Sequence, residues 1–180
     1  FGDLPLIGDQ RRADLFALKH TPRPQFHEVV CEVPGRLDAL GNELEPLDEV
    51  AVVRSAQTFV SQGITHAAVA LLHSHASAVH EHRVAALLRT AGFEHVSVSA
   101  ELAPFVKLLP RAQSAIANAY LTGPVQSFLD GVSKPLGDAS LHIMTSAGGL
   151  ETALNIRPKD MLLSGPAGGV AGAIWTATQA

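Results

Sequence analysis

Residues that support disulfide, redox or stacking chemistry are scarce in this sequence. Cysteine, tryptophan and tyrosine occur once each among 180 residues, and aromatic residues make up only 5%. The single cysteine, Cys31, excludes an internal disulfide framework and is typical of a cytosolic protein. No uninterrupted apolar run approaches the ~20 residues of a membrane-spanning helix, so we expect no membrane segment.

Charge is also sparse. Asp, Glu, Lys and Arg make up 17% of the residues and the formal net charge is −4, which gives no long-range attraction for nucleic acid or an anionic membrane. Hydrophobic residues make up 47%, which indicates a globular chain rather than a disordered one. The sequence begins at Phe1 without a signal-peptide pattern, and we expect it to be an internal piece of a longer protein.

Strand and helix patterns alternate in the middle of the chain. A continuous apolar run predicts a strand at residues 64–72 that is buried on both faces, and residues 96–99 predict the next strand. Between them, residues 80–91 predict a helix that ends at Gly92. Strand, helix and strand at this spacing predict a right-handed βαβ unit, so the fold class is α/β with a parallel or mixed sheet and flanking helices.

Shorter elements flank this unit. Further strands are predicted at residues 36–40, 43–45 and 141–144. Further helices are predicted from a cap at Asp48 to Gln62, across residues 101–132 with breaks at Pro110 and Gly123-Pro124, and briefly after a turn at residues 145–149.

The glycine-rich segment near the C-terminus is the least ordinary part of the sequence. Residues 161–163 predict a buried strand, and after a tight turn a helix is predicted to begin on Pro166, where an N–H needs no partner. Gly165, Gly169 and Ala173 recur every fourth residue, so one helix face is nearly bare backbone. We expect a neighbouring helix, a strand or a nucleotide to approach that face closely. The common dinucleotide and P-loop motifs are absent, so the spacing leaves these alternatives open.

Two junctions before predicted helices are candidate anion sites. Residues 145–149, Thr-Ser-Ala-Gly-Gly, follow a predicted strand, and exposed backbone N–H groups at such a turn bind anions. A plain turn explains the same residues. Ser164-Gly165 is the second junction, where Ser164 also suits a helix N-cap. A serine nucleophile is not expected, because the Gly-x-Ser-x-Gly elbow is absent.

Histidines cluster after the strand predicted at residues 64–72. His73 and His75 alternate, so their side chains share a direction, and His80 and Glu81 open the next helix. The carboxyl end of a parallel strand is where α/β proteins usually bind ligands, which makes a metal site from these four residues possible. Alternatively, His80 and Glu81 cap the helix and hold the loop that carries Ser74.

An ordered set of motifs resembles the hydantoinase A/5-oxoprolinase family. The segments that carry the resemblance lie at residues 1–4, 41–48, 68–74, 80–81, 118–121, 143–150 and 164–170, the last being Ser-Gly-Pro-Ala-Gly-Gly-Val. The family contains the ATP-using subunits of cyclic-amide hydrolases and of acetone- and acetophenone-type carboxylases. Its pattern has an aromatic residue at position 75 and no histidine at 73 or 82, so we predict no metal site there.

The resemblance implies a fragment of an actin-like ATPase fold, in which two ribonuclease-H-like domains clamp ATP and magnesium. It implies a connecting segment at residues 1–25, an α/β part of the N-terminal domain at 26–110 and the start of the core domain at 111–180. The residues expected near the nucleotide are Ser146, Gly148, Gly149, Ser164, Gly165, Gly168 and Gly169. The family's Asp-x-Gly-Gly-Thr phosphate loops do not occur in these 180 residues, so the chain alone is not expected to be a complete ATPase.

The implied activity is the ATP-dependent phosphorylation of a cyclic amide for ring opening, in the cytoplasm and with a hydantoinase B-type subunit or domain as partner. A ketone carboxylase subunit and a non-catalytic scaffold subunit of the same fold are the alternatives. The catalytic residues are not identified by the sequence.

Overall fold

The computed structural model describes residues 2–8, 14, 16–19, 24–137 and 139–179, and these fall into two compact units. The first unit comprises residues 1–120 and the second residues 121–180. Among the described residues no helix is both long enough and apolar enough to span a membrane.

Most regular structure lies in the first unit. Its elements, in chain order, are α1 (Leu4–Ile7), β1 (Arg36–Leu37), β2 (Glu43–Glu45), α2 (Glu49–Ser61), β3 (His66–Val69), α3 (Val79–Ala91), β4 (His95–Val98), α4 (Ser99–Leu102) and the start of α5 (Leu108–Ser133). The described part of the second unit holds the rest of α5, then β5 (His142–Met144), β6 (Leu150–Thr152) and α6 (Ser164–Gln179).

The predicted parallel strand pair with a connecting helix is confirmed. β3 and β4 pair in parallel, with His66 opposite His95, and α3 connects them. Val52 of α2, Val69 of β3 and Val84 of α3 form a buried cluster that holds the two helices on the strand pair. Burying such side chains contributes about 1.5–3 kcal/mol each.

The first strand of this unit is less buried than its sequence indicates. β3 is shorter than the apolar run at residues 64–72, and Ala68 in its middle is exposed. The prediction that both faces are buried is therefore wrong for the described chain. A strand buried on both faces needs helices on both sides of its sheet, and an apolar composition alone does not place them.

The ends of α2 and α3 follow the predicted signals. The Asp48 carboxylate accepts a hydrogen bond of 2.9 Å from the backbone N–H of Ala51, which satisfies one of the unpaired donors at the start of α2. Gly63, with φ +82°, follows the end of α2, and Gly92, with φ +111°, ends α3. Both angles lie in the left-handed region that glycine adopts without strain.

The short strand pair predicted before α2 is also confirmed. β1 and β2 are antiparallel, with Arg36 opposite Glu45. Asp38 fixes the turn between them, because its carboxylate accepts hydrogen bonds from the backbone N–H groups of Leu40 and Asn42 and from the Asn42 side chain. These bonds to the charged form lower the pKa of Asp38, the Asn42 side chain being the largest cause.

The predicted breaks at Pro110 and at Gly123-Pro124 are wrong, because α5 runs without interruption for 26 residues. Pro110 lies in its first turn, where a missing N–H leaves no intrahelical bond unmade. Pro124 lies inside the helix and removes one backbone hydrogen bond, yet the helix continues past it.

The second unit differs most from the sequence prediction. The segment expected to be a short helix after the turn contains β6, which pairs antiparallel with β5. The strand expected at residues 161–163 is absent: Pro158–Met161 form a 3₁₀ turn, and α6 begins at Ser164, two residues before Pro166. Short apolar segments carry too little periodicity to separate a strand from a turn.

These elements make three separate two-stranded sheets among the described residues, so the coarse α/β class is confirmed. One sheet is parallel and two are antiparallel. The ribonuclease-H-like arrangement stays a prediction.

The cap of α2 is open to a direct test. Asp48→Ala should lower the free energy of unfolding by about 1 kcal/mol, because the Ala51 N–H loses its acceptor. Asp48→Asn keeps a capping oxygen and should unfold within a few tenths of a kcal/mol of the parent. Urea titrations followed by circular dichroism measure both, and equal losses in the two variants would contradict the role of the cap.

Candidate functional site

The turn at residues 145–149, one of the two candidate anion sites, is closed by its own backbone. The N–H of Thr145 donates to the carbonyl of Gly149 at 2.8 Å, and the N–H of Gly148 donates to the carbonyl of Thr145 at 3.0 Å. The N–H of Ser146 donates to the carbonyl of Asp160 at 2.6 Å. These three donors already have acceptors within the second unit, so on their own they do not fit the phosphates of ATP.

The two predicted junctions lie next to each other. The Ser146 hydroxyl donates to the Asp160 carbonyl at 2.7 Å and accepts from the N–H of Leu163 at 3.0 Å, one residue before α6. The Ser164 hydroxyl donates to the Met161 carbonyl at 3.0 Å. The structure thus brings Ser146 and the start of α6 together, as one hydrogen-bonded corner of the second unit.

The glycines of α6 differ in what surrounds them within the described chain. A Cβ atom added at Gly165 or Gly169 would meet nothing within 4 Å, so the predicted bare face is open in the described chain. A Cβ added at Gly168 would lie 3.4 Å from Cγ of Met144, so α6 packs on β5 along another face. The close approach expected at Gly165 and Gly169 is therefore not made within the described residues.

A second candidate site lies in the first unit, around a buried ion pair. Glu81 of α3 and Arg111 of α5 have fully buried side chains, with Nη1 of Arg111 3.3 Å from Oε1 of Glu81. The Ser99 hydroxyl donates to Glu81 at 2.7 Å and accepts from Arg111 at 2.9 Å. Burial lowers the pKa of Arg111 from its usual value and Glu81 opposes that change; arginine has so high a pKa that the guanidinium stays charged.

This ion pair holds the backbone where both parallel strands end. Oε1 of Glu81 accepts from the N–H of Leu71 at 2.8 Å, and Oε2 accepts from the N–H of Ala100 at 2.9 Å. Nη2 of Arg111 donates to the Leu71 carbonyl at 2.8 Å. Side chains therefore satisfy both backbone groups of Leu71, two residues after β3, where no neighbouring strand does so.

Sequence reasoning found only part of this network. Glu81 was expected to hold the loop that carries Ser74, and it does bond to that loop at Leu71. Arg111 and Ser99 were missed. A signal for Arg111 exists: Arg111, Ala115, Asn118 and Ala119 recur at helical spacing, and all four are buried.

The histidines are spread over several partners. Nε2 of His80 lies 2.7 Å from Oε2 of Glu43 on β2, and Nε2 of His82 lies 3.0 Å from Oε1 of Glu101. The rings of His73 and His75 are 6.1 Å apart. Among the residues the structure describes, no three His, Cys, Asp or Glu side chains are grouped so as to hold a metal ion. His80 contributes to the fold by tying α3 to the β1–β2 pair rather than by capping α3.

The buried pair should dominate the stability of the first unit. Glu81→Gln leaves Arg111 buried without its counter-charge, which should lower the free energy of unfolding by about 3–5 kcal/mol. Glu49→Gln is the matched control, because Glu49 pairs with Arg83 at 2.7 Å on the exposed surface and should leave the unfolding midpoint nearly unchanged. Urea denaturation gives both midpoints, and equal shifts would show that the buried pair has no special role.

Two family models together match most of the chain. A family model described as the hydantoinase/oxoprolinase N-terminal region matches residues 1–92, and one described as hydantoinase/oxoprolinase matches residues 111–180. The 5-oxoprolinase of Saccharomyces cerevisiae is 34% identical over 202 residues, which covers 96% of this chain and 16% of the yeast protein. The chain thus spans a small part of the length of such relatives.

Solved structures share the fold. The ATP-dependent caprolactamase from Pseudomonas jessenii superposes with a TM-score of 0.73 at 26% identity, over 88% of this chain and 24% of that one. A nucleotide-free acetone carboxylase superposes with a TM-score of 0.69 at 24% identity, over 81% of this chain and 22% of that one, a likeness of fold alone. The resemblance carried by the sequence motifs is confirmed: the chain belongs to the hydantoinase/oxoprolinase family.

Proposed function

We propose that this chain is part of an ATP-dependent enzyme that phosphorylates a cyclic amide and so prepares its ring for opening. The observation that carries the proposal is the match of nearly the whole chain to 5-oxoprolinase, supported by the fold shared with caprolactamase. The substrates in both names are cyclic amides. An amide carbonyl is a weak electrophile, and transfer of a phosphoryl group to its oxygen converts that oxygen into a leaving group.

The role we propose for the second unit is to position the nucleotide, through Ser146, Gly148, Gly149, Ser164, Gly165, Gly168 and Gly169. ATP supplies the phosphoryl group and magnesium its charge balance, and we assign their main ligands to other parts of the full-length protein. Gly165 and Gly169 present backbone without an obstructing neighbour, while the Ser146 hydroxyl fixes the start of α6. These residues would fix the position of the nucleotide rather than transfer protons.

A partner subunit or domain of the hydantoinase B type is part of the proposal, since the related caprolactamase protein is named a subunit alpha. We also propose a cytoplasmic location, because Cys31 is a free and exposed thiol.

A ketone carboxylase is the second candidate function. The likeness to acetone carboxylase is a likeness of fold and does not by itself support that activity. A non-catalytic scaffold subunit is the third.

The decisive experiment measures ADP release by the full-length protein with its partner, in the presence of lactams, 5-oxoproline, hydantoins or ketones. We expect release that depends on a cyclic amide. Release with ketones and bicarbonate alone would favour the carboxylase, and no substrate-dependent release would favour the scaffold.

The 180-residue chain itself should bind Mg·ATP with a dissociation constant no lower than ~1 mM, which corresponds to about −4 kcal/mol. A micromolar dissociation constant would place the nucleotide site in this chain instead.

The open face of α6 gives a further test. In the 180-residue chain Gly169→Val and Gly172→Ala should both be tolerated, because an added Cβ meets nothing within 4 Å at either position. In the full-length protein we expect Gly169→Val to lower ATP turnover at least about tenfold, because a branched side chain obstructs the proposed face of approach, and Gly172→Ala, which adds a single methyl group, to lower it much less. Equal turnover of the two full-length variants would remove this role from the glycine face.

A further inference from the structure

Residues 29–33, Val-Val-Cys-Glu-Val, belong to no sheet within the described part of the chain. The backbone makes no turn or bend along them, and none of them has a positive φ. Valine, which has a branched β carbon and favours strands, occupies three of the five positions. A run of about five residues is also the usual length of a strand. The segment therefore has the composition and the backbone course of a β-strand.

The first unit holds this segment on both sides. Val33 packs on the buried valine cluster formed by α2, β3 and α3. Next to it, the Pro34 carbonyl accepts a hydrogen bond of 3.0 Å from the N–H of Asp48. Before the segment begins, the ring of Phe26 lies against that of Tyr120 on α5, with centroids 4.9 Å apart. The path of the segment is thus set by contacts that precede and follow it.

Between these contacts the segment presents an edge for strand pairing. The backbone groups of Val29, Val30, Cys31 and Val33 make no hydrogen bond to other backbone within the described residues. Val29 and Val30 are also 45% and 42% exposed. Such an edge pairs readily with another strand, and proteins commonly block it with lysine, proline or a bulge. Residues 29–33 contain neither a lysine nor a proline.

There is room beside the segment for more chain. A groove of about 570 Å³ separates it from α1, and Leu6 and Val30 are among the residues that line this groove. Leu6 is 60% exposed, so the apolar wall that α1 contributes is uncovered. The groove and the edge together leave the segment accessible to a further strand.

The rest of the same polypeptide is the source of strand that the comparisons favour. These residues span 16% of yeast 5-oxoprolinase and 24% of the caprolactamase chain, so most of the length of such proteins lies elsewhere. A strand tethered in one polypeptide has an effective concentration of about 1 mM, which exceeds the usual concentration of a second copy. Cross-strand pairing then favours apolar side chains beside Val29 and Cys31, and polar or basic ones beside Glu28.

We propose that residues 29–33 pair with one strand from a part of the full-length protein outside residues 1–180, a strand that alternates apolar with polar or basic residues. Each sheet within the described chain has two strands, whereas independent stability takes about three strands or more. Pairing at this edge joins the first unit to the remainder of the protein. The pairing is independent of the proposed function, because it depends on backbone and packing and on no substrate.

The test measures amide hydrogen exchange at single-residue resolution in the full-length protein without its partner subunit. Pairing along one edge engages alternate N–H groups, so alternate amides of residues 29–33 should exchange at least about a hundredfold more slowly than in an unfolded chain. Unprotected exchange of all five amides would overturn the proposal. Protection that appears only at high protein concentration would assign the edge to a second copy, and protection that appears only with the partner subunit would assign it to that subunit. Either result overturns pairing within one polypeptide.

Proline substitutions test whether the backbone makes the contact. Val30→Pro and Cys31→Pro remove N–H groups that point to opposite edges of the strand, and a proline is tolerated where the N–H faces solvent. With a single partner strand, one of the two variants should lower the protection of the remaining amides about tenfold or more, and the other should lower it much less.

Val30→Thr is the matched control, because it keeps the N–H and a branched β carbon, and its exchange should stay within about twofold of the parent. Parental protection in both proline variants would overturn the proposal. If a proline variant lowers the yield of folded protein, the alternation of protected amides in the parent decides the question without it.

Discussion

A single buried ion pair holds together the ends of the parallel strands in this protein. Glu81 and Arg111 are fully buried, and between them they bond to Leu71, Ser99 and Ala100. Removing two charges from water is expensive, and an apolar pair of similar size often stabilises a core as well. An apolar pair would not, however, satisfy the backbone groups left without a neighbour where β3 and β4 end.

That requirement explains the unusual shape of the network. A two-stranded parallel sheet is small, and its pairing ends at Val69 and Val98, so Leu71 already lies in the loop beyond the ladder. The carboxylate accepts N–H groups from both strands, and the guanidinium donates to the remaining carbonyl. The pair thus takes the place of ladder hydrogen bonds and holds the start of the loop that follows β3.

The second unit is organised by a different kind of contact. Its corner is made by backbone and hydroxyl groups, with Ser146 bonded to both Asp160 and Leu163. Polar groups that are satisfied in this way form a stable corner. Val170, Ile174 and Trp175 of α6 are 61%, 61% and 67% exposed, so this helix makes little core within the described residues. The two family models match parts of both units, residues 1–92 in the first and residues 111–180 mostly in the second.

Local signals in the sequence predicted the first unit well. The cap at Asp48, the glycines after α2 and α3, and the spacing of β3, α3 and β4 all depend on neighbours within a few residues, and the structure has each of them. The same kind of reasoning was wrong for the strand expected at residues 161–163 and for the breaks expected in α5. Short apolar runs and isolated prolines leave more than one local conformation open.

The sequence by itself determined the family, through motifs spread along the chain, and the α/β class, through periodicity. Only the tertiary structure decided which charged groups meet. Glu81 and Arg111 are 30 residues apart, and Leu71 lies 40 residues from Arg111. No local pattern encodes a contact at that separation, because it exists only after α3 and α5 have packed against the same strand ends. For the same reason the open face of α6 and the packing of Gly168 on Met144 became visible only in the folded chain.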